Sequence, residues 1–184
     1  MNRTIAVRFA GAPDAALLAA LGRETFHDAF AGHPLMPPDD LARYLDSAFT
    51  VERMTAELND SRTIFLLAEI DGEAAGYAKL ERGATTAGVT AENPIKLKRI
   101  YNRQKFIGVG IGKLLMTRCL EEAAAGNHDT IWLTVWQHNL RAQDFYRKLD
   151  FVECGTFDFE LGATVFADKV FERPVRLNRS VEAI

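Results

Sequence analysis

The stretch from Lys96 to Ala125 constrains this chain most. A strand-like segment, Lys96 to Tyr101, has Leu97 and Arg99 alternating with Lys98 and Ile100. It runs into Ile107-Gly108-Val109-Gly110-Ile111-Gly112-Lys113, which opens a helix over Ile111 to Ala125. Ile111, Leu114, Leu115 and Cys119 form one stripe of that helix, flanked by Met116, Leu120 and Ala123, and Gly126-Asn127 closes it. Glycines between a strand and a helix let backbone amides approach an anion, and the helix N-terminus adds partial positive charge. A phosphate or pyrophosphate is the natural guest; a turn with no ligand is the alternative on the loop alone. Two familiar phosphate loops are excluded by spacing. Only three residues separate Gly108 from Gly112, and Leu114 follows Lys113, so this is not a Walker loop. Lys113 also stands where a dinucleotide fingerprint needs its third glycine.

The flanking sequence fills in a mixed α/β sheet. Ile5, Val7 and Phe9 alternate as a first strand, and Pro13-Asp14 opens a helix to about Phe30 with the stripe Leu17, Leu18, Leu21, Thr25. Gly32, Pro34, Pro37 and Pro38 forbid a continuous helix over 31–38. Helices are expected over Leu41 to Phe49 and Val51 to Leu58. Thr63 to Ile70 and Ala74 to Leu80 make a hairpin about Asp71-Gly72. After the glycine-led helix come a buried strand, Thr130 to Val135, a short helix, Leu140 to Leu149, and strands Phe151 to Leu161 and Thr164 to Phe171. With no repeat and no linker, the 184 residues read as a single domain over 1–184.

Charge excludes some functions. There are 22 Lys and Arg against 25 Asp and Glu, a net charge of −3, without the basic excess of a nucleic-acid binder. Residues 1–60 hold nine acids against five bases, which is either a solvated face or a greeting for a cationic small molecule. Cys119 and Cys154 form no C-x-x-C pair, and His27, His33, His128 and His138 have no ligand-like spacing, so no metal is expected. Two lone thiols, no apolar leader at Met1-Asn2-Arg3 and no membrane-length apolar run point to a cytoplasmic protein without membrane or nucleic-acid partners.

A second segment sharpens the reading. Trp132 to Trp136 leads into Asn139-Leu-Arg-Ala142-Gln-Asp-Phe145-Tyr146, a strand followed by an Asn-capped helix, then Leu149-Asp150-Phe151. Together with Gly110 and Gly112, this resembles the GNAT superfamily of acetyl-CoA-dependent N-acetyltransferases over about Thr4 to Pro174. Thr25-Phe26-His27-Asp28-Ala29-Phe30, Gly76-Tyr77-Ala78-Lys79-Leu80, Leu97 to Tyr101 and Val135-Trp136-Gln137-His138-Asn139 resemble its PaiA-type branch, associated with polyamine acetylation. Three departures stand out. Ile107 occupies the family's Gln/Arg position, Asp150 replaces the glycine of Leu-Gly-Phe, and Lys96 stands where many relatives carry glutamate.

The resemblance implies a twisted, mostly antiparallel sheet of about seven strands with helices on both faces. It implies acetyl-CoA as cosubstrate, cradled by the amides of Gly108 to Lys113 (Val109 and Ile111 included) and contacted by Asn139 and Phe145. Backbone amides near Ile100 and Tyr101 would serve as oxyanion donors, and Tyr146 would supply the proton for the departing thiolate. The acceptor would be a small primary amine, polyamine-like, acetylated directly in a ternary complex by a monomer or homodimer. The amine must lose a proton, since its pKa of ~10.4 leaves it charged near neutrality. Glu24, Asp28 and Glu81 are the carboxylates considered for that task, and Trp136 borders the expected acceptor pocket. The alternatives are a protein N-terminal or lysine acetyltransferase and a non-catalytic acyl-CoA-binding regulator.

Overall fold

The computed structural model describes residues 3–175; positions 1–2 and 176–184, which the leader reading and the single domain of 1–184 include, lie outside the described residues. The elements in chain order are β1 (Ile5–Phe9), α1 (Ala15–Phe30), α2 (Pro38–Ala48), α3 (Val51–Asn59), β2 (Thr63–Ile70), β3 (Glu73–Arg82), β4 (Pro94–Asn102), α4 (Ile111–Ala125), β5 (Thr130–Trp136), α5 (Leu140–Arg147), β6 (Val152–Leu161) and β7 (Thr164–Pro174). The seven strands form one sheet in the order β1-β2-β3-β4-β5-β7-β6, antiparallel everywhere except between β4 and β5.

Two helical layers enclose the sheet. Ile111, Leu115, Met116 and Cys119 of α4 pack with Tyr146 of α5 on one face, against Leu66, Ala68 and Leu80. Leu18, Leu21, Leu41, Leu45 and Met54 of α1–α3 cover the other, against Phe65, Leu67 and Tyr77. Burial on both faces explains why Ile64 to Ala68 is apolar at every position instead of alternating with polar residues.

Several boundaries differ from expectation. Ala12–Asp14 is a 3₁₀ turn, not the start of α1. Its Asp14 carboxylate accepts from Gly11 N at 2.9 Å and from the Arg8 guanidinium at 2.8 Å. Pro38 begins α2 instead of preceding it, since the first helical turn needs no proline N–H. Helix α5 stops at Arg147, and Asp150 takes the left-handed conformation, φ 63°, that the family's glycine would supply.

The alternation read for β4 is corrected. Arg99 opposes Lys79 while Leu97 opposes Leu80, so Lys98 is an extra residue, a β-bulge. Ile95 and Leu97 pack toward α4; past the bulge it is Ile100 that does so. Leu97 and Arg99 therefore lie on opposite faces. Arg99 reaches Glu57 of α3 and Tyr101 joins the α1–α3 layer.

Candidate active site

The only parallel pairing in the sheet is also its shortest ladder. β4 and β5 are paired at Pro94–Thr130, Ile95–Ile131 and Lys96–Trp132, and no further. The bulge at Lys98 bends β4 just beyond the last rung. From Leu97 to Asn102, β4 pairs with β3 alone, leaving an internal strand edge. A cavity of about 660 Å³ occupies the gap and reaches both faces of the sheet.

On the α4 face the cavity meets the glycine turn. Gly108 and Gly110 have φ of 87° and 92°, a region that favours glycine, and open space lies where their side chains would be. The first intrahelical bond is Leu114 N to Gly110 O at 3.0 Å. Upstream of it, the N–H groups of Gly108, Val109, Gly110, Ile111 and Lys113 have no hydrogen-bond partner among the described residues. That of Gly112 reaches the Asn102 side-chain amide at 3.3 Å. A run of unclaimed amides at the start of a fifteen-residue helix fits a pyrophosphate. Lys113 and Arg141 also line this end, where they would add positive charge; sequence reasoning missed Arg141, which falls at an unspecified position of the Asn139–Tyr146 motif. Ile107 lines the cavity with an apolar side chain.

Helix α5 supplies the second wall. The Asn139 side chain caps it, accepting from Ala142 N at 3.1 Å. One face presents Ala142, Phe145 and Tyr146 to the cavity. Tyr146 is buried among Phe145, Phe151 and Phe171, with ring centroids at 5.5, 5.7 and 6.4 Å. Its hydroxyl has no partner among the described residues, and burial, with Cys119 adding, raises its pKa well above the phenol value of 10.0. At neutral pH this group is protonated.

The opposite end is aromatic. Phe30, Tyr44, Trp136, Phe157, Phe159 and Phe166 line it. Trp136 makes edge contacts with Phe30 and Phe166, both at 5.7 Å, and with His33 at 4.5 Å. Ile100 and Tyr101 lie between the two ends, on the stretch of β4 that pairs with β3 and not with β5.

The considered carboxylates scatter. Asp28 lines the cavity from α1, while Glu24 and Glu81 do not. Glu24 accepts from Arg103 Nε at 3.0 Å on the outer surface. Glu81 sits 2.8 Å from Lys79 Nζ; burial pushes its carboxyl up, but Lys79 and Lys98 hold it below the ordinary 4.5, making it a poor base. Most acids of residues 1–60 are likewise committed elsewhere: Asp14 to Arg8, Asp40 to Arg43, Asp46 to Arg23, Glu57 to Arg99 and Asp60 to Arg62. The cavity instead holds a carboxylate that sequence reasoning missed, Asp168 of β7. Near it, Lys96 is buried with its Nζ 4.5 Å over the Trp132 ring and 4.9 Å over that of Phe157. Burial, with Lys98 adding, lowers its pKa to about 8. Among the described residues no cluster of His, Cys, Asp or Glu could hold a metal, and no helix is long and apolar enough to cross a membrane.

An internal strand edge, flanked by an amide cradle and a protonated phenol, defines an acyl-transfer class of site. Residues 27–151 match the sequence model of the Acetyltransferase (GNAT) family, and the chain belongs to that family as an N-acetyltransferase. An uncharacterized N-acetyltransferase of Mycobacterium tuberculosis is 35% identical over 160 residues, covering 87% of this chain and 97% of that protein. Another, from Lactobacillus delbrueckii subsp. lactis, is 31% identical over 143 residues, covering 78% and 82%. Among solved structures, a PaiA N-acetyltransferase from Thermoplasma acidophilum in complex with coenzyme A superposes with a TM-score of 0.74 at 20% identity, over 93% of this chain and 99% of that one. The ribosomal-protein-S18-alanine N-acetyltransferase of Escherichia coli gives 0.66 at 14% identity, over 98% and 100%. At such identities the likeness is one of fold.

Proposed function

We propose that the protein transfers the acetyl group of acetyl-CoA to a small primary amine, with a polyamine-like molecule as the favoured acceptor, by direct attack in a ternary complex. The observation that carries this reading is the continuity of the cavity: one space joins the unclaimed amides of the glycine turn, the free edge of β4, the Tyr146 hydroxyl and the aromatic pocket. The donor, when bound, supplies an activated acetyl thioester. The amides of 108–113, with Lys113 and Arg141, bind its pyrophosphate, and the turn orients it along β4. Amides of the Ile100–Tyr101 stretch, fixed by pairing with β3, point a preorganised dipole at the developing oxyanion. Tyr146 Oη holds a proton for the departing thiol. Cys119 is buried in the core, and Cys154 does not line the cavity. No cysteine is thus placed to carry the acetyl group covalently, which supports direct transfer. A cationic acceptor is favoured by the two lining carboxylates, Asp28 and Asp168, and by rings that attract ammonium groups.

The test is thiol release from acetyl-CoA across a panel of spermidine, putrescine, hexylamine, glutamate and an N-terminal peptide. Turnover with the cationic small amines is expected. Tyr146→Phe should lower kcat by about 10²-fold and leave acetyl-CoA affinity unchanged, since the ring and the glycine turn remain. Absence of thiol release with every amine would sink the reading, and turnover confined to the peptide would replace it with protein acetylation.

A further inference from the structure

The aromatic end of the cavity contains a carboxylate that makes no ion pair among the described residues. Asp168 lies opposite Trp136 of β5 and opposite Phe157 of β6 in the strand registers, so an aromatic residue flanks it on each side. Only 7% of the residue is exposed, and its Oδ1 has no hydrogen-bond partner among the described residues. The Trp136 Nε1–H is buried and unpartnered in the same way. Buried polar atoms in folded proteins are nearly always paired, and an unpaired buried carboxylate is among the costliest exceptions. Both residues line the cavity, and a carboxylate there without an ion-pair partner points to a ligand that completes it.

The charged surroundings say what kind of ligand. Asp168 makes no ion pair among the described residues. The next residue on its own strand, Lys169, is engaged with Glu153 at 2.9 Å. The strands on either side present tryptophan and phenylalanine. Lys96 of β4 is the one charged group whose field reaches it, from a seat over the Trp132 and Phe157 rings. An acid flanked by aromatic faces is the chemistry that recognises an ammonium group.

We propose that Asp168 binds the ammonium group of the acceptor and takes one of its protons. This rests on the amine-acetylation reading above and supplies the proton acceptor that Glu24 and Glu81 are not placed to be. In the step, an N–H bond of the ammonium breaks, an O–H bond forms on the Asp168 carboxylate, and the electron pair stays on nitrogen, leaving a neutral amine. The carboxyl then releases its proton to solvent, which matches the one proton that acetylation of an ammonium must yield. Burial raises the Asp168 carboxyl to about 7, against the opposing pull of Lys96. That suits it to accept a proton from an alkylammonium of ~10.4 far better than an ordinary aspartate of ~3.9.

The experiment is the pH profile of kcat/KM for spermidine, putrescine and hexylamine with the wild type, Asp168→Asn and Lys96→Met. Acetyl-CoA-induced melting shifts establish that each variant folds and binds donor. The wild type should show an acid limb near 7. Asp168→Asn should lose that limb and about 10²-fold in kcat/KM at neutral pH, while keeping its melting shift. Lys96→Met should move the limb upward, because the cation that favours the carboxylate is gone. A purely structural role would scale the profile without moving it. Wild-type turnover that Asp168→Asn leaves unchanged, acid limb included, would overturn the assignment and leave acetyl transfer standing. A limb unmoved in Lys96→Met would overturn it as well. No turnover by the wild type across the panel would overturn both.

Discussion

Replacing Glu57 by glutamine should uncouple α3 from the floor of the acceptor pocket at a measurable cost. Glu57 Oε2 is 2.8 Å from Arg99 Nη1 and 3.0 Å from Lys79 Nζ, and the side chains of these two cations are only 6% and 3% exposed. Arg53 adds a weaker contact at 3.3 Å. Lys79 keeps Glu81 as a second partner, whereas Arg99 has no other carboxylate among the described residues. Glu57→Gln preserves the shape and an acceptor oxygen but strands the Arg99 charge over the Phe49 ring, 5.0 Å away. Losing one partner of a buried pair costs about 3–5 kcal/mol; the retained oxygen and Glu81 bring this case below that range, to about 2–3 kcal/mol. For a chain of this length the unfolding entropy is on the order of 0.4 kcal/mol/K, so the melting temperature should fall by about 6 °C. Calorimetry measures it. The double variant Glu57→Gln/Arg99→Met should recover part of the loss, with a coupling of about 1–2 kcal/mol. The sign with pH follows from the Glu57 carboxyl. Burial pushes it up, but Arg99 and Lys79 hold it below the ordinary 4.5. Its stabilising contribution is therefore present above 4.5 and is lost as pH falls below that value, and the variant should lack this part of the acid destabilisation. A variant within 0.5 kcal/mol of wild type, together with strict additivity in the double variant, would refute the reasoning.

Two further substitutions probe the departures from the family pattern. Ile107→Arg places a guanidinium beside the amide cradle and should tighten acetyl-CoA binding about tenfold, read by calorimetric titration; unchanged affinity would show that this side chain does not reach the phosphates. Asp150→Gly relieves a left-handed residue at φ 63° and should raise stability by about 0.5–1 kcal/mol in denaturant unfolding; a loss would mean that the Asp150 side chain itself contributes.

How far the sequence could be read depended on the range of the signal. The glycine turn, the Asn139 cap and the α5 face are local, so their spacing alone located them. Asp150 could be placed at a left-handed position only through the resemblance, since it stands where the family's Leu-Gly-Phe has glycine. Three things were invisible. The bulge at Lys98 reverses which residues of β4 share a face, and no feature of Lys96-Leu97-Lys98-Arg99 announces it. Asp168 sits in a strand that alternates unremarkably, and it becomes significant only through its register with Trp136 and Phe157. The acidic balance of residues 1–60 could be read as a solvated face or as part of the site, and the sequence could not say which acids were which. Most of those acids are tied to arginines away from the cavity, and charge counts carry no information about who pairs with whom.

The parting of β4 from β5 gives the sheet a third edge, in addition to its outer strands β1 and β6. An exposed edge is a hazard because any extended polypeptide can dock along it. Here the α4–α5 layer stands on one side and the α1–α3 layer on the other, so the edge lies at the bottom of a slot. Width then decides what may enter. A β-strand would have to lodge side chains against both layers, whereas a thin unbranched chain carrying a few amide groups needs room only beside the strand to complete its missing rungs. The fold thereby turns a liability of sheets into a filter, one that admits a guest by how narrow it is before any side chain tests its chemistry.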